Sequence, residues 1–306
     1  EGDIVPSVNK TPMFYSGIGS GTNIDLNGNR TVYGLRFTDD ADTALVFIHN
    51  RLTLNAGGII VSNGSAGAHI FNCDVALGTS QTWENNSSVA LTFNGVVSGY
   101  GELHKSGIGP VVLTGPNTFS GGLYVDRGLV EVKGDAGAIG EGSVNGGTSA
   151  TLLLNGSGFT WSSGPTYLSG TGTNSAEGAI RNIQTGTITW EGDITLGADS
   201  KIRNDAGTFL TLGDIDAGSS TLYITNVNSF IMQSGSFTGS KTTGDGALHK
   251  SGTGILYLRP DAEFSGAITL AQGTLRLAAD LEKGGGTLTM ADKTLLQSTG
   301  AVARLI

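Results

Sequence analysis

The chain has 306 residues, of which 50 are glycine and 6 proline, and 17 basic against 26 acidic residues give a net charge of −9. Irregularly spaced glycine with so little proline excludes collagen, and 78 Leu, Ile, Val and Phe residues exclude a disordered chain. The absence of basic clusters excludes nucleic acid as a partner, and the longest apolar run, Ala44 to Ile48, excludes a membrane-spanning helix.

In chain order, residues 1–27 precede the first regular pattern and read as an N-terminal cap or a strand-donating segment. Ile4, Val5, Val8, Met13, Phe14 and Tyr15 there, with Leu305 and Ile306 at the other end, form the candidate assembly interface. The segment starts without an initiator methionine or a basic stretch, so a targeting signal is expected to have been removed. From residue 28 onward, short runs alternate with period two: Leu52-Thr53-Leu54, Leu91-Thr92-Phe93, Thr187 to Trp190, Leu210 to Leu212, Ile255 to Leu258 and Leu275 to Leu277. Such Thr- and aliphatic-rich alternation predicts strands, and the intervening clusters such as Asn63-Gly64-Ser65 and Gly284-Gly285-Gly286 predict turns. No stretch carries the 3.6-residue spacing of a long helix, so the chain is predicted all-β.

Repeats choose among sandwich, barrel and solenoid. At an offset of 145, residues 101–132 and 246–277 are identical at 12 of 32 positions, among them Leu103/Leu248, His104/His249, Lys105/Lys250, Gly107/Gly252 and Gly128/Gly273. Upstream, Asp74 to Gly78 matches Asp193 to Gly197 and Leu91 to Phe93 matches Leu210 to Leu212 at an offset of 119, so the second copy holds 26 extra residues near Ser219 to Asp245. A closed barrel would not absorb such an insertion between matched strands, whereas a solenoid takes it as an added coil. The predicted fold is a right-handed parallel β-helix forming a single elongated rod. Its parts are a cap over 1–27, a first module over 28–148, a second over 149–292 and a C-terminal coil or tail over 293–306. The alternating Leu, Ile, Val and Phe should face inward, glycines should mark corners, and Glu102, Lys105, Asp126 and Arg127 should sit outward or at corners.

The run from Asp74 to Val132 resembles the autotransporter-associated β-strand repeat, with Leu103, Lys105, Gly107, Gly109, Leu113, Gly115, Asn117, Thr118, Phe119, Ser120, Gly121, Gly122 and Gly128 on its pattern. The second copy departs from that pattern at Pro260, Asp261, Ala262 and Glu263. The resemblance implies an exported, extracellular or cell-surface bacterial protein of the passenger type; it does not imply a catalytic site and leaves function open.

Individual residues point the same way. His104 and His249 share one repeat position and read as structural, while His49 and His69 lack partners at metal-ligand spacing. Cys73 is a lone cysteine, read as a small buried hydrophobe. Asp214 with Asp216, and Asp39, Asp40 and Asp42, could supply general acids and bases or bind calcium, but solvated turn carboxylates suffice to explain them. Trp83, Trp161 and Trp190 could stack on sugars, yet the similar strings around Trp83 and Trp190 read as repeat packing. No cofactor and no metal is expected. The expected function is a non-catalytic structural or adhesive β-solenoid assembling head to tail with copies of itself, with matrix or glycan as further partners. A monomeric passenger fragment binding a host or matrix ligand is the alternative, and a polysaccharide-degrading enzyme a distant one.

Overall fold

The computed structural model describes residues 10–14, 22–134, 139–156, 158–174, 177–211, 213–227, 230–233, 237–240, 246–259, 265–277 and 287–298. Among them every regular element is a β-strand and the strands pair in parallel, which makes the fold a β-solenoid. Two compact units divide the chain, residues 1–145 and 146–306.

In the first unit the chain winds through three ladders. One stacks Thr22–Asp25, Leu45–Ile48, Ile70–Phe71, Leu91–Phe93, Val111–Leu113 and the end of Leu123–Val132. A second stacks Met13–Phe14, the end of Arg30–Phe37, the end of Arg51–Val61, Gln81–Asn85, Leu103–Ser106 and the start of Leu123–Val132. The third stacks the start of Arg30–Phe37, the start of Arg51–Val61, Asp74–Leu77 and Val97–Gly99. Because parallel pairing keeps a residue on the same face as its partner, like residues one coil apart stack. Phe47, Phe71 and Phe93 do so with centroids 4.4 and 4.6 Å apart, and Trp83 lies 4.0 Å from Phe93. These distances match the spacing of neighbouring strands, so each aromatic ring packs on the next at no cost in ladder geometry.

The second unit repeats the scheme. Its ladders stack Ile180–Asn182, Ser200–Asn204, Leu222–Asn226, Leu248–Ser251, Ile268–Leu270 and Leu288–Met290; Thr166–Leu168, Ile194–Leu196, Ile215–Gly218 and Phe237–Gly239; and Phe159–Trp161 through Leu295–Ser298. From Asp74–Leu77 to Leu103–Ser106 the first unit makes one circuit of its ladders. From Ile194–Leu196 to Leu248–Ser251 the second makes two, with Ile215–Gly218, Leu222–Asn226 and Phe230–Gln233 as the additional turn. The 26 residues inferred from the shifted offset are therefore one whole coil.

The corners explain the paired glycines. Gly107 and Gly252 have φ of 75° and 76°, and a Cβ on either would lie 2.2 or 2.4 Å from the carbonyl oxygen of Asn85 or Asn226 in the preceding coil. Any side chain there meets both a left-handed backbone and a neighbouring carbonyl.

One expectation is corrected. Glu102, Asp126 and Arg127 are at least partly exposed, but Lys105 is 1% exposed and its repeat partner Lys250 fully buried. Lys105 occupies an inward ladder position, paired with Trp83 on one side and Val125 on the other. Its Nζ donates to the carbonyl oxygens of Ser106 at 2.7 Å, Gly107 at 2.8 Å and Arg127 at 3.0 Å. Lys250 donates to Ser251 at 2.7 Å, Gly252 at 2.8 Å and Gln272 at 3.2 Å. An ammonium has three donors and no acceptor, so three corner carbonyls satisfy it completely while the aliphatic stem fills core volume. Burial draws both ammoniums down to about 8, which leaves them charged at neutral pH.

Candidate functional site

A groove of about 670 Å³ lies on the outside of the first unit, lined by Arg36, Asp39, Ile60, Ser62, Asn63, Glu84, Asn86 and Ile108. It follows from the ladder register. Arg36 pairs with Ile60, Ile60 with Glu84 and Glu84 with Ser106, so an outward row climbs the second ladder coil by coil. The corners just beyond these strands supply Asp39, Ser62, Asn63, Asn86 and Ile108, which form the other wall.

The corners are held by hydrogen bonds between coils. Gly64 N donates to Asp39 Oδ1 at 3.1 Å, Ser62 N to the Phe37 carbonyl at 2.9 Å and Asn86 N to the Val61 carbonyl at 3.0 Å. Asn86 Nδ2 donates to Glu84 Oε1 at 2.8 Å. Beneath the wall, buried Asn85 donates through Nδ2 to the carbonyls of Val89 and Pro110 and accepts from Ser87 N, which fixes the turn that presents Asn86 and Ile108. His69 is also buried there. Its ring stacks on Phe37 at 3.9 Å, its Nε2 lies 3.1 Å from Ser65 Oγ, and its Nδ1 has no partner among the described residues. Burial holds it down to about 4, so it is neutral at physiological pH.

The sequence-derived candidates fall elsewhere. Trp83, Trp161 and Trp190 are buried in the core, so none of them offers a platform to a sugar. Trp83 Nε1 donates to Gln81 Oε1 and Trp190 Nε1 to Thr166 Oγ1, each at 3.0 Å. His104 lies on the outer surface, 3.0 Å from Asp126 Oδ2 and stacked on Tyr124 at 4.5 Å. His249 leans on Tyr223 at 5.3 Å, and His49 reaches Asp25 at 3.2 Å. The Asn27 amide and His49 together hold the Asp25 carboxyl below its usual range.

The aspartates are engaged by backbone. Asp42 Oδ1 accepts from Ala66 N, Asp216 Oδ1 from Gly218 N, and Asp214 N itself donates to Asp193 Oδ1. Asp40 is exposed at the turn. Among the described residues no group of three or more His, Cys, Asp or Glu side chains could hold a metal ion. Cys73 is buried, and burial pushes its thiol up to about 12. No helix among the described residues is long and apolar enough to cross a membrane. Of the candidate interface, Met13 and Phe14 pair through their backbones with Arg36 and Phe37; Ile4, Val5, Val8, Tyr15, Leu305 and Ile306 lie outside the described residues.

Sequence reasoning did not find the groove, because its members are scattered over residues 36 to 108 with no local motif. The legible signal would have been residues of equal register on successive coils, such as Arg36, Ile60 and Glu84, each 24 residues from the last.

Comparison with known proteins adds two findings. The family described as Passenger-associated-transport-repeat matches residues 103–132 and 248–277, the two segments that carry the buried lysines. The Adhesin BmaC autotransporter of Brucella suis biovar 1 (strain 1330) is 28% identical over 232 residues, covering 74% of this chain and 6% of that protein. The chain therefore corresponds to a small part of that relative's length. No solved structure matches the chain.

Proposed function

We propose that this autotransporter passenger-type β-helix repeat protein, exported to the cell surface, is a non-catalytic adhesive segment. The likeness to an autotransporter adhesin over 74% of the chain carries the reading. The structure lends support in its distribution of polar groups. The carboxylates of Asp39, Asp42 and Asp216 accept backbone N–H groups of the coils, which suits scaffolding better than acid and base chemistry. What the fold offers outward is long rows of side chains at fixed spacing, a surface made for contact.

The test is binding of the purified chain to cultured epithelial cells and to matrix-coated wells, with albumin-coated wells as control. Saturable binding above albumin is expected, and binding no greater than to albumin on every surface overturns the reading.

A second reading adds head-to-tail assembly into a surface fibre. It is favoured by the parallel pairing that runs from coil to coil in each unit, since copies joined in the same way would meet through a heterologous contact. A heterologous contact of that kind does not close and so continues into a filament. Analytical ultracentrifugation with electron microscopy decides: concentration-dependent filaments are expected, and a single monomeric boundary at all concentrations removes assembly and leaves a monomeric adhesin.

A further inference from the structure

The groove of the first unit is selective in its chemistry. Five of its lining groups are planar and present two or more polar atoms side by side: the carboxylates of Asp39 and Glu84, the amides of Asn63 and Asn86, and the guanidinium of Arg36. Groups of this shape engage pairs of adjacent hydroxyls through two parallel hydrogen bonds. Ser62 adds a hydroxyl, and Ile60 and Ile108 add aliphatic surface of the kind that packs on the C–H face of a sugar ring. Ile108 is 61% exposed, so its aliphatic surface is open to a ligand.

Other ligand classes fit badly. A polyanion would meet two carboxylates against one guanidinium, on a chain of net charge −9. An apolar ligand would strip water from six polar side chains and return no hydrogen bonds. Three of the groups are also held in place before any ligand arrives, since Asp39 Oδ1 already takes Gly64 N and Glu84 Oε1 already takes Asn86 Nδ2. Polar groups fixed in advance lose little freedom on binding.

We propose that this groove binds a neutral, hydroxyl-rich oligosaccharide lying along the stack. The outward row from Arg36 to Ser106 climbs three coil steps, roughly 14 Å at the spacing of neighbouring strands. That length takes a short run of sugar rings. The assignment rests on the adhesive reading for its biological sense, but its chemistry stands on the groove alone.

Titration calorimetry of the full chain against maltotriose, cellotriose, chitotriose and lacto-N-tetraose, with a heparin hexasaccharide and an acidic decapeptide as other arms, tests it. At least one neutral oligosaccharide is expected to bind and heparin is not. Ile108→Asp and Asn63→Ala, both at exposed positions, should each weaken that binding at least tenfold with unchanged circular dichroism. Tyr167→Ala, on the outer face of the second unit, should leave it unaltered. No neutral oligosaccharide binding, binding by heparin or peptide alone, or binding indifferent to both groove variants overturns the assignment. Cell binding that survives periodate treatment of the cells and both groove variants, together with no oligosaccharide bound in solution, overturns the assignment while leaving the adhesive reading intact. Oligosaccharide binding without any cell binding supports the groove and removes the adhesive reading instead.

Discussion

Lys105 and Lys250 stand at the same place in two coils 145 residues apart, and the two coils agree at this buried corner while differing on the outer face. Both ammoniums close on three corner carbonyls, and both are followed by a glycine with φ near 75°. On the outer face His104 is joined to Asp126 and stacked on the Tyr124 of the following coil, whereas His249 leans back on the Tyr223 of the preceding one. One buried side chain differs too: the first copy has Asn117, whose Oδ1 accepts Val97 N at 2.7 Å, where the sequence of the second copy has Ala262. What the two copies share is thus the means of turning a buried corner. The outward positions of the motif are free to vary because water takes up whatever the outer side chains do not satisfy.

That comparison can be broken at the lysines. Lys105→Ala and Lys250→Ala should each cost about 4 kcal/mol, combining a cavity with three carbonyls left without a donor. Methionine at either position fills the space but not the hydrogen bonds, and should recover about half. Hydrogen exchange around Gly107 and Gly252 is the measurement, since coils of a solenoid open locally. Unequal losses in the two copies would show that the shared geometry does not mean shared energetics.

Acid sharpens the contrast from the other side, because His69 is buried whereas His249 of the second unit is half-buried. Folded His69 titrates near 4 against an ordinary 6.5, so between those values the unfolded chain binds more protons. Stability therefore falls as pH drops through that window and is level above it. The full loss is about 3 kcal/mol, and it should fall on the first unit alone. Exchange-detected stability at pH 7 and pH 4 should show this slope, and His69→Phe, which keeps the stack on Phe37, should flatten it.

Smaller effects follow at the corners. Gly107→Ala and Gly252→Ala should each cost about 2 kcal/mol through left-handed backbone and carbonyl contact, seen as a lower urea midpoint for the unit concerned. His104→Ala removes only exposed pairing and one ring stack, so about 0.5 kcal/mol is expected in the same assay.

Much of this architecture was legible in the sequence, for definite reasons. Alternation at Leu52-Thr53-Leu54 declares one inward face, and the change of offset between Leu210 and Leu248 declares an added coil because only whole circuits keep the ladders in register. Lys105 was misread because a cation in an alternating strand is ordinarily solvated. Its three acceptors come from the main chain of two coils, which no residue identity announces. The groove was illegible for a related reason: Arg36, Ile60 and Glu84 become neighbours only once the coil length is known.

The lysine tie has a mechanical side. Of its three acceptors, those on Ser106 and Gly107 belong to its own coil, while the one on Arg127 belongs to the next. A pull along the stack would load the hydrogen bonds between neighbouring strands, and a rung closed by an ammonium adds a charge-assisted link to that row. Under tension the coils joined at Lys105 and at Lys250 should then part after coils that lack such a tie, leaving a reinforced joint in each unit where shear would otherwise open it turn by turn.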